Sequence, residues 1–218
     1  MTDQTAARRP RAQTIRELDE PAFVELYGPW ARRTPADVAA LFADYPGRWW
    51  IAGGWAIEAF TGVVREHDDI DPSVLRSDLP ALRRHLDGKL DIWSAADGAL
   101  RPLLPAEDEL EGAIQVWTRP HALAPWEYDI LLTPGTPQEW VYRRDESIRL
   151  PMAEALWTLD GIPYLRPEIQ LLYKAAGLRT KDQSDFEATA PLLDSASRTW
   201  LRTQLVRTLP GHRWIAAL

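Results

Sequence analysis

The opening stretch, MTDQTAARRPRAQ, shows no apolar period, and regular patterning begins only near residue 21. Residues 21–32 and 35–45 read as helices, each opening with a proline in the first turn, where the missing N–H costs nothing. Thr34 is a natural N-cap for the second; Val38, Leu41 and Phe42 form its apolar stripe, and Pro46-Gly47 ends it. A strand at 49–53 leads into a helix at 55–60 closed by Gly62. Polar and apolar residues then alternate, predicting a strand from Asp69 to about Val74, followed by a helix at 78–86 capped by Ser77 or Asp78. Residues 90–94, 114–118, 126–132 and 140–143 read as further strands, with a turn at Ala96-Asp97-Gly98 and a loop over 100–111. Two apolar runs, 155–159 and 162–165, flank Asp160-Gly161, a hairpin signal. Beyond Arg166 the period becomes helical: 168–177, about 182–193 with Asp182 and Asp185 as capping residues, and 197–209 ended by Pro210-Gly211.

Strands outnumber helices through the middle, which predicts an α+β chain with a largely antiparallel or mixed sheet. The division expected is a tail over 1–20, a sheet domain over 21–150, and a hairpin with a small helical domain over 151–218. At 218 residues and 45% hydrophobic, the chain suffices for one domain plus a small second one. No apolar run nears the roughly 20 residues that span a bilayer, and the N-terminus lacks a signal-peptide core, so no membrane partner is expected. Absence of cysteine removes disulfides, thiolate metal sites and a thiol nucleophile, and fits cytoplasmic residence. A net charge of −7 argues against general nucleic-acid binding and suits a cationic small substrate or simple solubility. Eleven tryptophans predict heavy core packing, with one or two free to stack on a base or sugar.

The densest chemistry lies in residues 49–71, WWIAGGWAIEAFTGVVREHDDID. Alternation sends Ile70 to the core and puts Asp69 and Asp71 on one face, roughly 6.6 Å apart at Cα. Two unpaired carboxylates about 4 Å apart repel by roughly 4 kcal/mol at an effective dielectric of about 20. A divalent cation removes that repulsion, and Mg²⁺ combines one or two carboxylates with water and substrate phosphate. Gly53-Gly54, between strand and helix, lets backbone N–H groups approach a phosphate at a helix N-terminus.

The order strand, Gly-Gly, short helix, acidic strand resembles the nucleotidyltransferase superfamily that includes DNA polymerase beta. AGGWAIEAFTG…REHDDID is most similar to the antibiotic nucleotidyltransferases that act on aminoglycosides and lincosamides. The segment YKAAGLRTKDQSDF resembles the C-terminal signature of small bacterial nucleotidyltransferases. The resemblance implies a mixed-sheet nucleotidyltransferase domain flanked by helices, with a small C-terminal helical domain. It implies Mg²⁺, as two ions, held by Asp69, Asp71 and a third carboxylate, with a nucleoside triphosphate, ATP favoured, as co-substrate. The third carboxylate would also take the proton from the acceptor hydroxyl. Asp129, deep in the apolar run 126–132, matches that position; Glu127 on the same face competes with it.

Gly53 and Gly54 would cradle the phosphates, and Lys174 and Lys181 are candidate triphosphate partners, with a solvent-facing role equally open to Lys174. Arg143, with Arg144 and Asp145, forms a charged patch suited to phosphate or to a solvated turn. His67 reads as a structural histidine, Asp68 faces away from the metal, and Asp182 and Asp185 read as caps. Pro72, directly after Asp71, implies a bulge or a free pairing edge. The reaction implied is transfer of a nucleoside monophosphate to a hydroxyl of a small, cationic acceptor of the aminoglycoside type. A toxin-type enzyme modifying tRNA and a catalytically idle nucleotide-binding protein on the same fold are the alternatives. The sequence carries no signal for oligomeric state.

Overall fold

The computed structural model describes residues 20–96, 99–104 and 112–218. The expected tail, apart from Glu20, lies outside them, as do Asp97 and Gly98 of the predicted turn and residues 105–111 of the predicted loop. Among the described residues the elements are α1 (Glu20–Tyr27), α2 (Pro35–Leu41), β1 (Trp49–Ile51), α3 (Gly53–Thr61), β2 (Pro72–Leu75), α4 (Leu79–Leu86), β3 (Asp91–Ala96), β4 (Ala99–Pro102), β5 (Gln115–Arg119), β6 (Tyr128–Thr133), β7 (Glu139–Val141), β8 (Arg149–Pro151), α5 (Met152–Ala155), β9 (Leu156–Leu159), β10 (Ile162–Leu165), α6 (Pro167–Ala175), α7 (Thr180–Thr189) and α8 (Ser195–Thr208). This is an α+β fold, built on an eight-stranded sheet in the order β4-β3-β5-β6-β2-β1-β10-β9. Its β1–β10 and β2–β6 pairs are parallel and its other pairs antiparallel, so the sheet is mixed, as the strand count predicts.

Local chemistry accounts for several boundaries. The Thr34 side chain caps α2 and Asp37 reaches back to the Thr34 N–H, a complete capping box. Gly62 closes α3 at φ 69°, the left-handed conformation that glycine adopts without penalty. Asp160 and Gly161 both have positive φ, as a tight two-residue hairpin requires. That hairpin extends the main sheet, since β10 pairs with β1. A boundary at residue 150 therefore cuts through the sheet.

Other elements depart from the periodicity. Helix α1 stops at Tyr27 because Gly28 turns left-handed at φ 88°. Strand β4 occupies part of the predicted loop, held to β3 by backbone pairing that its residues do not advertise. Strand β8 and the single-turn α5 were not predicted; four residues or fewer carry too little periodicity to be read. Strand β2 begins at Pro72 rather than Asp69. Pro72 takes the first position of a strand paired on both sides, opposite Ile51 of β1 and beside β6, in place of the expected bulge or free edge.

Alternation along the central strands separates two packed layers. Ile51, Ile70, Val74, Ile130 and Leu132 join Val38, Phe42, Leu82 and Leu86 under one face. Trp50, Trp140, Ile169, Leu172 and Leu201 pack on the other, beneath the C-terminal helices. Ile70 has no exposed surface and anchors the acidic segment from below. Ile70→Ala is expected to cost about 3 kcal/mol through lost burial and an unfilled cavity, read as a lower urea midpoint with an unchanged slope.

Candidate functional site

The acidic segment is pinned from both sides by main-chain bonds. Ala52 N–H donates to the Asp71 carbonyl (2.9 Å), and Asp129 N–H donates to the Ile70 carbonyl (3.2 Å). With Ile70 fixed in the core, alternation turns Asp69 and Asp71 to the opposite face. Asp129, on β6, comes to the same place: carboxylate oxygens of Asp69, Asp71 and Asp129 all lie within 4.8 Å of one another. Glu127 is elsewhere, paired with Arg33. Asp68 is exposed and bound to Lys181 at 3.1 Å. His67 bonds Glu58 at 2.8 Å and stacks on Trp55 with ring centres 4.1 Å apart, a structural arrangement. Burial, partly offset by the Glu58 bond, lowers its pKa.

Burial raises the Asp129 carboxyl well above the ordinary carboxylate range, and the charges of Asp71 and Asp69 add to that. Asp71 is pushed up to about 7, first by burial and then by Asp69, against the pull of Lys174, Lys181 and Arg179. Gln115 Nε2 donates to Asp129 Oδ2 at 3.0 Å, while Oδ1 is buried with no hydrogen-bond partner. The Trp117 indole opposite gives Asp129 only slight relief, its N–H lying outside hydrogen-bond geometry. Three carboxylate donors, of which Asp71 and Asp129 have raised proton affinity and Asp129 also an orphaned oxygen, fit a hard divalent cation.

Asp69 and Asp71 face a cavity of 510 Å³ between the sheet and the C-terminal helices. Arg65, Arg143, Arg144, Lys174, Arg179 and Lys181 line its other side. Most of these cations are already held. Asp185 binds Lys174 (2.8 Å) and Arg65 (3.1 Å), and Asp182 binds Lys174 (3.3 Å) and Arg179 (3.0 Å). Lys174 is thus buried within an ion network instead of facing solvent. Arg144 donates to the Tyr173 carbonyl (2.7 Å), and the Arg143 N–H donates to the Tyr173 hydroxyl (3.4 Å). Asp182 also caps α7 through the Arg179 N–H, whereas Asp185 is a hub of the ion network instead of a cap. Between α6 and α7, Leu178 has φ 45°, a left-handed conformation costing a branched residue on the order of 1 kcal/mol.

The two glycines make room for site side chains, Gly53 for Asp71 and Gly54 for Arg65. A Cβ on Gly53, whose φ is +67°, would lie 1.7 Å from Asp71 Oδ2, and its N–H donates to Gln170 Oε1 at 2.8 Å. A Cβ on Gly54 would lie 2.0 Å from Arg65 Nη2, and of the pair only Gly53 lines the cavity. Four site residues escaped the sequence reading: Gln115, Gln170, Arg65 and Asp185. Gln115 offered a usable signal, a polar side chain within an apolar strand. The others depend on contacts across 117 or 120 positions, which no local pattern reveals.

Residues 36–90, spanning α2 to the end of α4, match the family model described as aminoglycoside-2''-adenylyltransferase. The match covers the segment whose motif resembles antibiotic nucleotidyltransferases, and it bears that resemblance out. A search of curated proteins gave no match. Among solved structures, the chain is similar to the solution structure of the antibiotic-resistance factor ANT(2'')-Ia, with a TM-score of 0.48 and 16% identity over 78% of this chain and 88% of that one. Similarity extends to ANT(2")-Ia in complex with adenylyl-2"-tobramycin (TM-score 0.47, 17% identity, 77% and 94% covered). It also extends to the lincosamide antibiotic adenylyltransferase LnuA, lincomycin-bound (TM-score 0.46, 19% identity, 69% and 90% covered).

A carboxyl with a raised folded-state pKa binds its proton more tightly folded than unfolded. The metal-free protein should therefore lose stability as pH rises from the unfolded value near 4 through about 7, the value for Asp71. In EDTA, the melting temperature is expected to fall between pH 6 and pH 8. Mg²⁺ should restore it, and Asp129→Asn should raise the pH 8 value by several degrees, on the order of 1–2 kcal/mol. Thermal melts of the two proteins across this range check the sign.

Proposed function

We propose that this protein is a nucleotidyltransferase that moves a nucleoside monophosphate from a Mg²⁺-bound nucleoside triphosphate, ATP favoured, to a hydroxyl of an aminoglycoside-type antibiotic. The observation that carries the reading is the meeting of Asp69, Asp71 and Asp129 within 4.8 Å beside a cavity lined across from them by cations. The family match at residues 36–90 supports the same reaction class and the choice of acceptor.

Asp69 and Asp71 would hold the metal, with Asp129 sharing it, and the donor set suits two ions. When bound, Mg²⁺ would supply positive charge that offsets the triphosphate and the charge that builds up during transfer. The chain's own residues do the rest. Lys174, Lys181, Arg65 and Arg179 offer positive charge to the triphosphate, and Arg143 and Arg144 extend that wall. Asp129 Oδ1, free of hydrogen bonds, accepts the acceptor's hydroxyl proton as its oxygen bonds to the α-phosphorus and pyrophosphate departs. Gln115, bound to Oδ2, fixes the orientation of that carboxylate. An acceptor rich in ammonium groups suits a chain of net charge −7, and the reaction fits a cytoplasmic setting.

Intact-mass analysis tests this directly, with the protein, Mg²⁺ and each nucleoside triphosphate incubated against a panel of aminoglycosides and lincosamides. The expected product is a drug heavier by one nucleoside monophosphate, with Asp69→Asn at least about 10²-fold slower. Transfer to tRNA instead would replace the acceptor assignment. Nucleotide binding without transfer to any acceptor would leave the catalytically idle reading in its place.

A further inference from the structure

We propose that Gln170 binds nucleotide directly: its amide oxygen is fixed by the Gly53 N–H, and its Nε2 donates to a phosphate oxygen of the triphosphate. The inference rests on the nucleotidyl-transfer reading above.

Gln170 projects from α6 into the cavity and is itself 6% exposed. The 2.8 Å bond from Gly53 N–H ends on Oε1. That bond fixes the amide orientation, because an N–H can be received only by the oxygen. The nitrogen is thereby turned away from Gly53. It carries two N–H donors and makes no hydrogen bond among the described residues. Held on a fixed amide in the cavity wall, this nitrogen is placed to donate to a ligand oxygen in place of water.

Its neighbours identify that oxygen as anionic. Gly53 lies so close to Asp71 that a Cβ would strike the carboxylate, which puts the Gln170 amide beside the acid cluster. Lys174 lies one turn further along α6, on the same helix face, and lines the same cavity. A group that meets a fixed amide donor and a lysine ammonium next to metal-binding carboxylates has the chemistry of a phosphate. The Gly53 N–H, which the sequence reading gave to the phosphate itself, instead acts through Gln170, whose side chain carries the donor further into the cavity. The helical part of the chain thus contributes neutral as well as charged recognition.

The test uses the full chain with Gln170→Met and Gln170→Glu. Glutamate keeps an acceptor for Gly53 N–H but removes the donor and adds a like charge, whereas methionine removes both roles. Binding of Mg²⁺ with α,β-methylene-ATP, and separately of tobramycin, is measured by calorimetry, with a thermal melt of each variant. Both variants are expected to weaken the ATP analogue on the order of tenfold or more, glutamate the more strongly, with tobramycin affinity unchanged. Gln170→Met should also melt several degrees lower because Gly53 N–H loses its partner. Unchanged analogue affinity in Gln170→Glu would reduce Gln170 to a tether for Gly53 and overturn the proposal. Selective loss of tobramycin binding would assign the donor to the acceptor and overturn it as well. If the wild type binds no Mg²⁺-nucleoside triphosphate, the nucleotidyl-transfer reading fails, and this inference with it.

Discussion

Three carboxylates within 4.8 Å of one another set the terms for everything built around them. At an effective dielectric of about 20, each ionised pair at that separation repels by roughly 3–4 kcal/mol, so three pairs approach the whole stability of a typical domain, about 5–15 kcal/mol. Full ionisation without compensation is therefore excluded, and the fold supplies compensation at several levels. Asp71 and Asp129 retain protons far above the ordinary range. Lys174, Lys181 and Arg179 lower the field at Asp71 from across the cavity. Buried Ile70 and the two flanking main-chain bonds keep the segment from relaxing outward. A divalent cation would complete the compensation, and the cost in its absence is the energy that drives its binding.

The cations are held in place as firmly as the acids. Asp185 and Asp182 tie Lys174, Arg65 and Arg179 into one network that links the segment after α3 to both α6 and α7. Three positive and two negative side chains leave this network a surplus of one, and Lys181, bound to exposed Asp68, adds a pair that solvent weakens. An arriving polyphosphate meets positive groups whose rotamers are already restricted, so less side-chain entropy is lost on binding. The left-handed Leu178 in the α6–α7 connection fits the same logic: local strain is retained where Asp182 holds the adjoining Arg179 N–H and guanidinium.

What the sequence made legible was whatever is encoded over a few residues. The Asp-Ile-Asp alternation, the Thr34 capping box, the αL Gly62 and the Asp160-Gly161 turn are each decided by steric or hydrogen-bonding rules acting within four or five positions. Acidic residues in the apolar run 126–132 likewise marked Asp129, with Glu127 as its competitor, because an unpaired charge on a buried strand must answer to something. Strand β4 and the pairing of β10 with β1 were not legible, since both depend on which distant strand lies alongside. Lys174 showed the opposite limit. Amphipathic spacing alone left it free to face solvent, but two aspartates, 8 and 11 positions on, make its burial tolerable.

The glycine pair shows why motif and mechanism can agree on residues yet differ on physics. In the sequence, Gly-Gly before a helix signals backbone approach to phosphate. In the structure, Gly53 is required because Asp71 occupies the space a Cβ would fill, and Gly54 because Arg65 does. Either requirement selects glycine, so composition cannot separate them; only the direction of the Gly53 N–H can, and that bond goes to Gln170. The consequence reaches the whole architecture. A cradle made from the Gly53 amide itself would be complete within the sheet and α3. A site that reaches the ligand through Gln170, Lys174 and Arg179 is complete only when α6 and α7 are docked. The acid cluster and its helical cover therefore form one functional unit, joined by the Gln170 amide together with the Arg65–Asp185 and Lys181–Asp68 ion pairs.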